Sequence, residues 1–429
     1  MKKYSNVMNT NVTWIPQIPA HWKLQKINAL FTERKKKVSD KDYKPLSVTK
    51  KGILPQLAHA AKSNDSDNRK LVKAGDFVIN SRSDRKGSCG VSKLDGSVSL
   101  INIVLTPRNE LNSEYIHYLL RNYRFSEEYY RNGRGIVADL WTTRYSEMRT
   151  ILIPVPPRAE QEQIVRFLDW KISEINKKRL LKKKSLELMR ELISSTFEKL
   201  IHESHENVRL KRIVSLDNAF IDIVEDNYYQ KAGMYNRARG IFLRNPIKGS
   251  DMGDSKFQRI HRNRLMISGQ FAWEDAVFVT SKKEEKGLAS HRYYLLKSRN
   301  KKFPVEYLFG YFISQKGFTD LQLCSHGSAG RNRPLNINEL LRVEIPIVHD
   351  TVAIAKFCRL IQAYMKMRPI VLREAALLDE LQNRIISDVV TGKIDVRNIP
   401  VPAYEHVDDM GDDDGEGNDG ETGIPGEED

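Results

Sequence analysis

The chain is 429 residues long, 40% hydrophobic, and carries a net charge of +15. That length admits two or three domains with real cores. No apolar run approaches the ~18 residues that span a membrane, and the opening MKKYSNVMNTNVTW has no apolar core behind its lysines, so neither a membrane span nor a secretory signal is expected. Cys89, Cys324 and Cys358 lie far apart without zinc-ligand spacing, which points to reduced thiols and a cytoplasmic location. The charge is uneven. Residues 405–429 hold twelve Asp and Glu and no Lys or Arg, leaving about +27 on residues 1–404. Such an excess points to a polyanionic partner.

Residues 1–21 read as irregular, broken by Pro16 and Pro19. WKLQKI at 22–27 opens a first block. Short strands follow at 45–48 (PLSV), 76–81 (DFVINS) and 98–107 (VSLINIVLTP), with Gly75, Gly87, Gly90 and Gly96 as turns. Residues 113–131 read as helical, and ILIPVP at 151–156 as a strand ended by prolines. The run 156–203 has no Gly and no Pro after Pro157. Its apolar residues Leu168, Ile172, Ile175, Leu186, Met189, Ile193 and Leu200 share a helical face, interrupted by Arg179 and Lys182. A helix of about 45 residues is roughly 65 Å long and needs a partner along its stripe.

A second block repeats the plan. VRLKRI at 208–213 corresponds to WKLQKI. NRLMISGQFAW at 263–273 and DAVFVTS at 275–281 fall in its strand-rich part. FPVEYLFGYFISQKGF at 303–318 corresponds to the earlier helix, VEIPIV at 343–348 to ILIPVP, and a helical region over about 351–392 closes it. A period near ~190 residues is too long for a solenoid and describes two copies of a domain-plus-helix unit. The expected organisation is α+β: a first domain at 1–157, a spacer helix at 158–203, a second domain at 204–350, a second spacer helix at 351–397 kinked near Pro369, and a disordered acidic tail at 398–429. The simplest assembly lays the two helices antiparallel.

The sequence offers no phosphate loop GxxxxGK[ST], no GxGxxG after a strand, and no His/Cys cluster with metal spacing. No catalytic and no metal-binding residues are expected. Candidate DNA contacts are named by residue type and place: Lys50 and Lys51 before Gly52; Asn80, Ser81, Arg82, Arg85 and Lys86 after a strand; and Arg134 between two glycines. The second block offers Asn236, Arg237 and Arg239 in one cluster, Lys282 and Lys283 in another, and Arg331 with Arg333 in a third. Arginine forks suit guanine edges, Asn suits adenine, and Lys suits phosphate. Trp22, Trp273, Tyr228, Tyr229, Tyr293 and Tyr294 fit base stacking or a core strand face. A non-catalytic nucleic-acid-binding scaffold, for RNA or non-specific DNA, and a stand-alone nuclease remain as alternatives. The acidic tail has three readings: a solubility tail, a competitor with DNA for the basic surface, or a partner-binding segment.

Three segments carry a family resemblance: IPQIPAHWKLQKI near the start, ILIPVPPRAEQEQIVRFLDWKISEI in the middle, and LQNRIISDVVTGKIDVR near the end. Up to about Pro402 the chain resembles the DNA-specificity subunit of type I restriction-modification systems. The resemblance implies two target-recognition domains that each read one half of a split sequence in double-stranded DNA. It also implies two helices that set the half-site spacing and dock two methyltransferase (modification) subunits, with restriction (motor-nuclease) subunits joining them. By the same resemblance this chain binds no cofactor of its own. S-adenosylmethionine belongs to the partner methyltransferase, and ATP and Mg to the restriction subunit.

Overall fold

The structure is a computed structural model that describes residues 2–56, 67–108, 111–135, 141–203, 206–300, 302–327 and 333–408. It is a mixed α+β chain in two compact units, Met1–Leu180 with Glu374–Gly411, and Leu181–Arg373. The first unit forms β1 (Lys23–Lys26), β2 (Phe31–Glu33), β3 (Leu46–Thr49), β4 (Gly52–Pro55), β5 (Phe77–Asn80), β6 (Cys89–Val91) and β7 (Asn102–Pro107). Helices α1 (Ser113–Arg121) and α2 (Tyr123–Arg131) follow, then β8 (Leu152–Val155) and the start of α3 (Arg158–Glu203). The second unit takes up the rest of α3. It adds β9 (Glu206–Arg209), β10 (Val214–Leu216), β11 (Tyr228–Tyr235), β12 (Gly240–Leu243), β13 (Leu265–Ser268), β14 (Val277–Val279) and β15 (Tyr293–Ser298). It closes with α4 (Val305–Ile313), α5 (Gln315–Leu323), β16 (Glu344–Ile347) and the start of α6 (Thr351–Val390), whose remainder from Glu374 belongs to the first unit.

The repeat is a repeat of topology. The first unit has an antiparallel sheet in the order β6-β5-β7-β2, the second one in the order β14-β13-β15-β10. β1 pairs with β8 and β9 pairs with β16 in the same way. Tyr115 on α1 donates to the Pro154 carbonyl at 3.0 Å, and Tyr307 on α4 donates to the Pro346 carbonyl at 2.8 Å. In β5, Phe77 and Ile79 enter the core that holds α1 and α2, while Val78 points to a second apolar cluster with Val72, Val98 and Val104. Covered on both faces, the strand needs a continuous apolar run.

Several expectations change. Residues 113–131 are two helices, because Asn122 is extended at φ −67° and ψ 150° and its side chain caps α2 at Phe125 N. Ser314 makes the same break between α4 and α5, accepting from Gly317 N. VSLINIVLTP is two strands, Gly96–Ser99 and β7, turned where Asn102 donates its amide to the Ser99 carbonyl at 3.1 Å. Residues 1–21 are not wholly irregular, since Val7–Asn9 pairs with Gln17–Pro19.

The stripe on α3 is buried within each unit. In the first, Leu168 and Ile175 share a core with Ile385 and Val389 of α6, and Arg179 pairs with Asp379. In the second, Ile193 and Phe197 share a core with Phe357 and Ile361, the Phe197 and Phe357 rings lying 5.5 Å apart. α4 also presses close to α6: a Cβ on Gly310 would lie 2.2 Å from the Phe357 ring. The helix expected over 351–397 is continuous through Pro369 and stops at Val390, where Gly392 (φ +73°) returns its N–H to the Val389 carbonyl. Residues 398–408, expected to belong to a disordered tail, are held against α3. Gln163 on α3 donates to the Val396 and Ile399 carbonyls at 3.0 and 2.8 Å, and Asn176 to the Val407 carbonyl at 3.0 Å. Residues 409–429 lie outside the described residues. No helix among the described residues is long and apolar enough to cross a membrane.

Candidate nucleic-acid interface

In the first unit the loop after β5 carries Asn80, Ser81, Arg82, Arg85 and Lys86, and the fold brings Arg134 to it. Thr142 exchanges backbone hydrogen bonds with Arg134 at 2.9 Å each way, and Thr143 N donates to the Ser81 carbonyl at 2.9 Å. Asn80 turns the loop by accepting from Arg82 N at 3.0 Å. Lys86 sits 2.6 Å from Glu127 on α2 and 4.7 Å from the centre of the Tyr130 ring. That ammonium holds the Glu127 carboxyl below its usual range. Trp141 lies beside Tyr130, ring centres 5.9 Å apart, and its indole N–H donates to the Tyr130 carbonyl. Arg82 lines this aromatic recess and is exposed, as are Arg85 in the same loop and Arg134 on the neighbouring segment. A cationic rim over a rigid aromatic floor fits phosphate and base edges.

Lys50 and Lys51 form the exposed tip of the β3–β4 hairpin. Arg121 at the end of α1 donates to the Lys50 carbonyl at 2.6 Å and to His117 Nε2 at 2.7 Å. Burial, then the Arg121 and Lys93 charges, push the His117 imidazole down to about 3, so it is neutral and accepts that bond.

The second unit treats its clusters differently. Asn236, Arg237 and Arg239 lie in the tight turn from β11 to β12, where Arg237 (φ 58°) and Ala238 (φ 49°) are left-handed. That turn is bound into the unit. Asn236 donates its amide to the Glu274 carboxylate, and Arg239 donates to the Asn236 carbonyl at 3.0 Å with its guanidinium 5.4 Å from the Tyr235 ring centre. Arg190 on α3 donates to the Arg237 carbonyl at 2.7 Å and to Asp275 Oδ2 at 2.5 Å. Burial raises the Asp275 carboxyl to about 6 against the pull of Arg190, and its Oδ1 is buried without a partner. Lys282 and Lys283 are exposed in the turn after β14. Arg331 lies outside the described residues; Arg333 is exposed, its guanidinium 5.4 Å from the Trp273 ring centre. Trp22 fills the core, donating to Glu160 at 3.1 Å.

In the loop after β13 the sequence reading singled out Trp273 as a stacking candidate but not Gln270. Three of the backbone hydrogen bonds that close it repeat those of the loop after β5. Ser268 N donates to the Ala276 carbonyl at 2.9 Å as Asn80 N does to Ser88 at 3.0 Å. Leu335 N donates to the Gly269 carbonyl at 2.7 Å as Thr143 N does to Ser81, and His326 N donates to the Pro334 carbonyl at 3.2 Å as Arg134 N does to Thr142. Aligning DFVINSRSDRKGSCGV with RLMISGQFAWEDAVFV on the strand–Ser register would have found it. The search by clustered cations passed over it because this loop carries none.

Residues 19–185 match the family model described as "Type I restriction modification DNA specificity domain". No curated protein matches the sequence. Among solved structures, a chain from a study titled "Structural basis underlying complex assembly and conformational transition of the type I R-M system" is similar at 14% identity with a TM-score of 0.56, covering 88% of this chain and 99% of that one. The HsdS subunit of Thermoanaerobacter tengcongensis (15% identity, TM-score 0.43, 88% and 98% covered) and the type I S subunit of M. genitalium (14%, 0.42, 91% and 99%) are more distant in fold. Over residues 19–185 the chain is thus similar to the type I restriction modification DNA specificity domain, and as a whole it shares its fold with the chain from that study of a type I R-M system.

Proposed function

We propose that this chain is the DNA-specificity subunit of a type I restriction-modification enzyme and performs no chemistry itself. Each unit reads one half of a bipartite target in double-stranded DNA. α3 and α6 form the spacer and dock two methyltransferase subunits, and restriction subunits complete the enzyme. S-adenosylmethionine is bound by the methyltransferase, ATP and Mg by the restriction subunit, and any base flipping happens in the methyltransferase pocket. The observation that carries the reading is the repeated reading apparatus: one sheet order, one strand–loop crossing and one helix pair, present in both units with different side chains on the loops. A duplicated scaffold with divergent loops suits two different half-sites.

Support for docking comes from α3 itself. Leu181, Leu188 and Leu192 follow one another at helical spacing and are 59%, 53% and 48% exposed. A helix exposing large apolar side chains in a row marks a protein contact. The test is co-expression with the methyltransferase subunits of its own system and mapping of methylated adenines in host DNA. A split motif with a fixed gap is the expected result. Methylation without one, or an untethered general affinity for nucleic acid, would favour the scaffold alternative.

A further inference from the structure

The two reading loops begin and close through equivalent hydrogen bonds, so the positions at their start can be equated. Strand β5 and its partner β6 are in register as Ile79 with Cys89, and β13 and β14 as Ile267 with Val277. The hydrogen bonds that close the two loops equate Asn80 with Ser268 and Ser81 with Gly269. Arg82 in the first unit therefore stands where Gln270 stands in the second. Each follows directly the residue whose carbonyl is held by the crossing segment, in a loop fixed at both ends, Arg82 exposed and Gln270 half-buried. A site that must discriminate bases needs such fixed presentation.

We propose, resting on the specificity reading above, that Arg82 and Gln270 are the paired base-reading side chains, Arg82 for a guanine and Gln270 for an adenine, and that the Asn236–Arg239 turn is a latch on α3 rather than a reader. The chemistry of the two side chains sets the assignment. A guanidinium donates twice to guanine O6 and N7, whereas a carboxamide donates to N7 and accepts from N6 of adenine. Each loop is backed by an aromatic and a cation that could steady a base edge or phosphate. In the first unit these are Trp141 and Lys86, and in the second Trp273 and Arg333. The order of supply differs. The crossing segment provides Trp141 in one unit and Arg333 in the other, which is why the second loop has no cation run in its sequence. The turn at Asn236 lacks this freedom. Its amide is spent on Glu274, its backbone is fixed in the left-handed region, and Arg190 of α3 holds its carbonyl.

The experiment uses the full chain with its methyltransferase subunits. Methylated adenines are mapped for wild type, Arg82→Ala, Gln270→Ala, Gln270→Arg and Asn236→Ala, and each purified complex is titrated against duplexes carrying all four bases at every motif position. Arg82→Ala should erase the preference for one guanine in one half of the motif, and Gln270→Ala for one adenine in the other half, by roughly ten- to a hundredfold in relative affinity. Gln270→Arg should turn that adenine preference towards guanine, and Asn236→Ala should leave both halves intact. A Gln270→Ala complex that keeps its full discrimination overturns the proposal, as does relaxation of the second half by Asn236→Ala. A wild-type complex that recognises no split motif removes the specificity reading itself, and this assignment with it.

Discussion

Removing Arg34 should destabilise the first unit by more than any surface ion pair is worth. Arg34 follows β2, and its guanidinium donates to both oxygens of Asp76 at 2.7 and 3.0 Å. Asp76, just before β5, is 2% exposed and also accepts from Lys73 N at 2.9 Å and Thr106 Oγ1 at 2.8 Å. Arg34→Met would leave a buried carboxylate with two neutral donors and no counter-charge, a loss of about 3–5 kcal/mol. For a unit of this size that is a fall of roughly 6–20 °C in Tm. The second unit carries the same latch with its charges exchanged: Asp217 follows β10, Arg264 precedes β13, and the two are paired. Their backbones agree, Arg34 N donating to Val104 and Asp217 N to Leu295. The double exchange Arg34→Asp with Asp76→Arg should therefore recover a large part of the loss, with a coupling on the order of 1–3 kcal/mol. The assay is thermal unfolding with limited proteolysis to report the first unit separately. An Arg34→Met protein within about 0.5 kcal/mol of wild type, the range of an exposed pair, would refute the reasoning.

Three further outcomes are expected. Leu188→Ser with Leu192→Ser should abolish co-purification of the methyltransferase subunits while moving the chain's own stability by no more than about 0.5 kcal/mol, measured by pull-down and melting. Asp275 has a folded-state pKa of about 6, above its unfolded value, so its contribution is full below pH ~4 and is lost as pH rises through 6. Asp275→Asn, which also suits its left-handed backbone (φ 61°), should raise the second unit's stability by on the order of 2 kcal/mol at pH 7.5 and leave it little changed at pH 4, read from paired melts. His117 is the opposite case. Its folded pKa of about 3 lies below the unfolded value, so its contribution is full above pH ~6.5 and is lost as pH falls towards 3. The β3–β4 hairpin, tied through Arg121 to this imidazole, should become protease-sensitive on acidification before the second unit does.

Much of the architecture was legible because it rests on local pattern. The stripe on α3 is periodic over many turns, the strand at 76–81 is a bounded apolar run, and the repeat declares itself through IPVP and IPIV ahead of two long helices. The break at Asn122 was hidden inside an otherwise helical pattern. It is a cap whose effect depends on the chain turning there, and the turn is set by packing of α1 and α2 on the sheet. For the site, clustered cations singled out the loop after β5 and Arg134, which the fold brings together. The same rule led to the Asn236 cluster, where a tight left-handed turn and Arg190 commit the backbone, neither of which has a linear signature. It overlooked Gln270 because a single neutral amide has no cluster to announce it. The charge-exchanged latch was illegible for another reason, since its partners are separated by a strand and meet only once the sheet register is fixed.

The central claim is that each unit reads its own half of one DNA target. The direct measurement is the methylation motif of a chain in which the reading part of the first unit, residues 31–150, is replaced by residues 214–342 of the second, co-expressed with the same methyltransferase subunits. The account predicts a split motif whose two halves are both the half that the second unit reads in the wild-type protein. A motif identical to wild type, or one in which the second unit's half also changes, would contradict it.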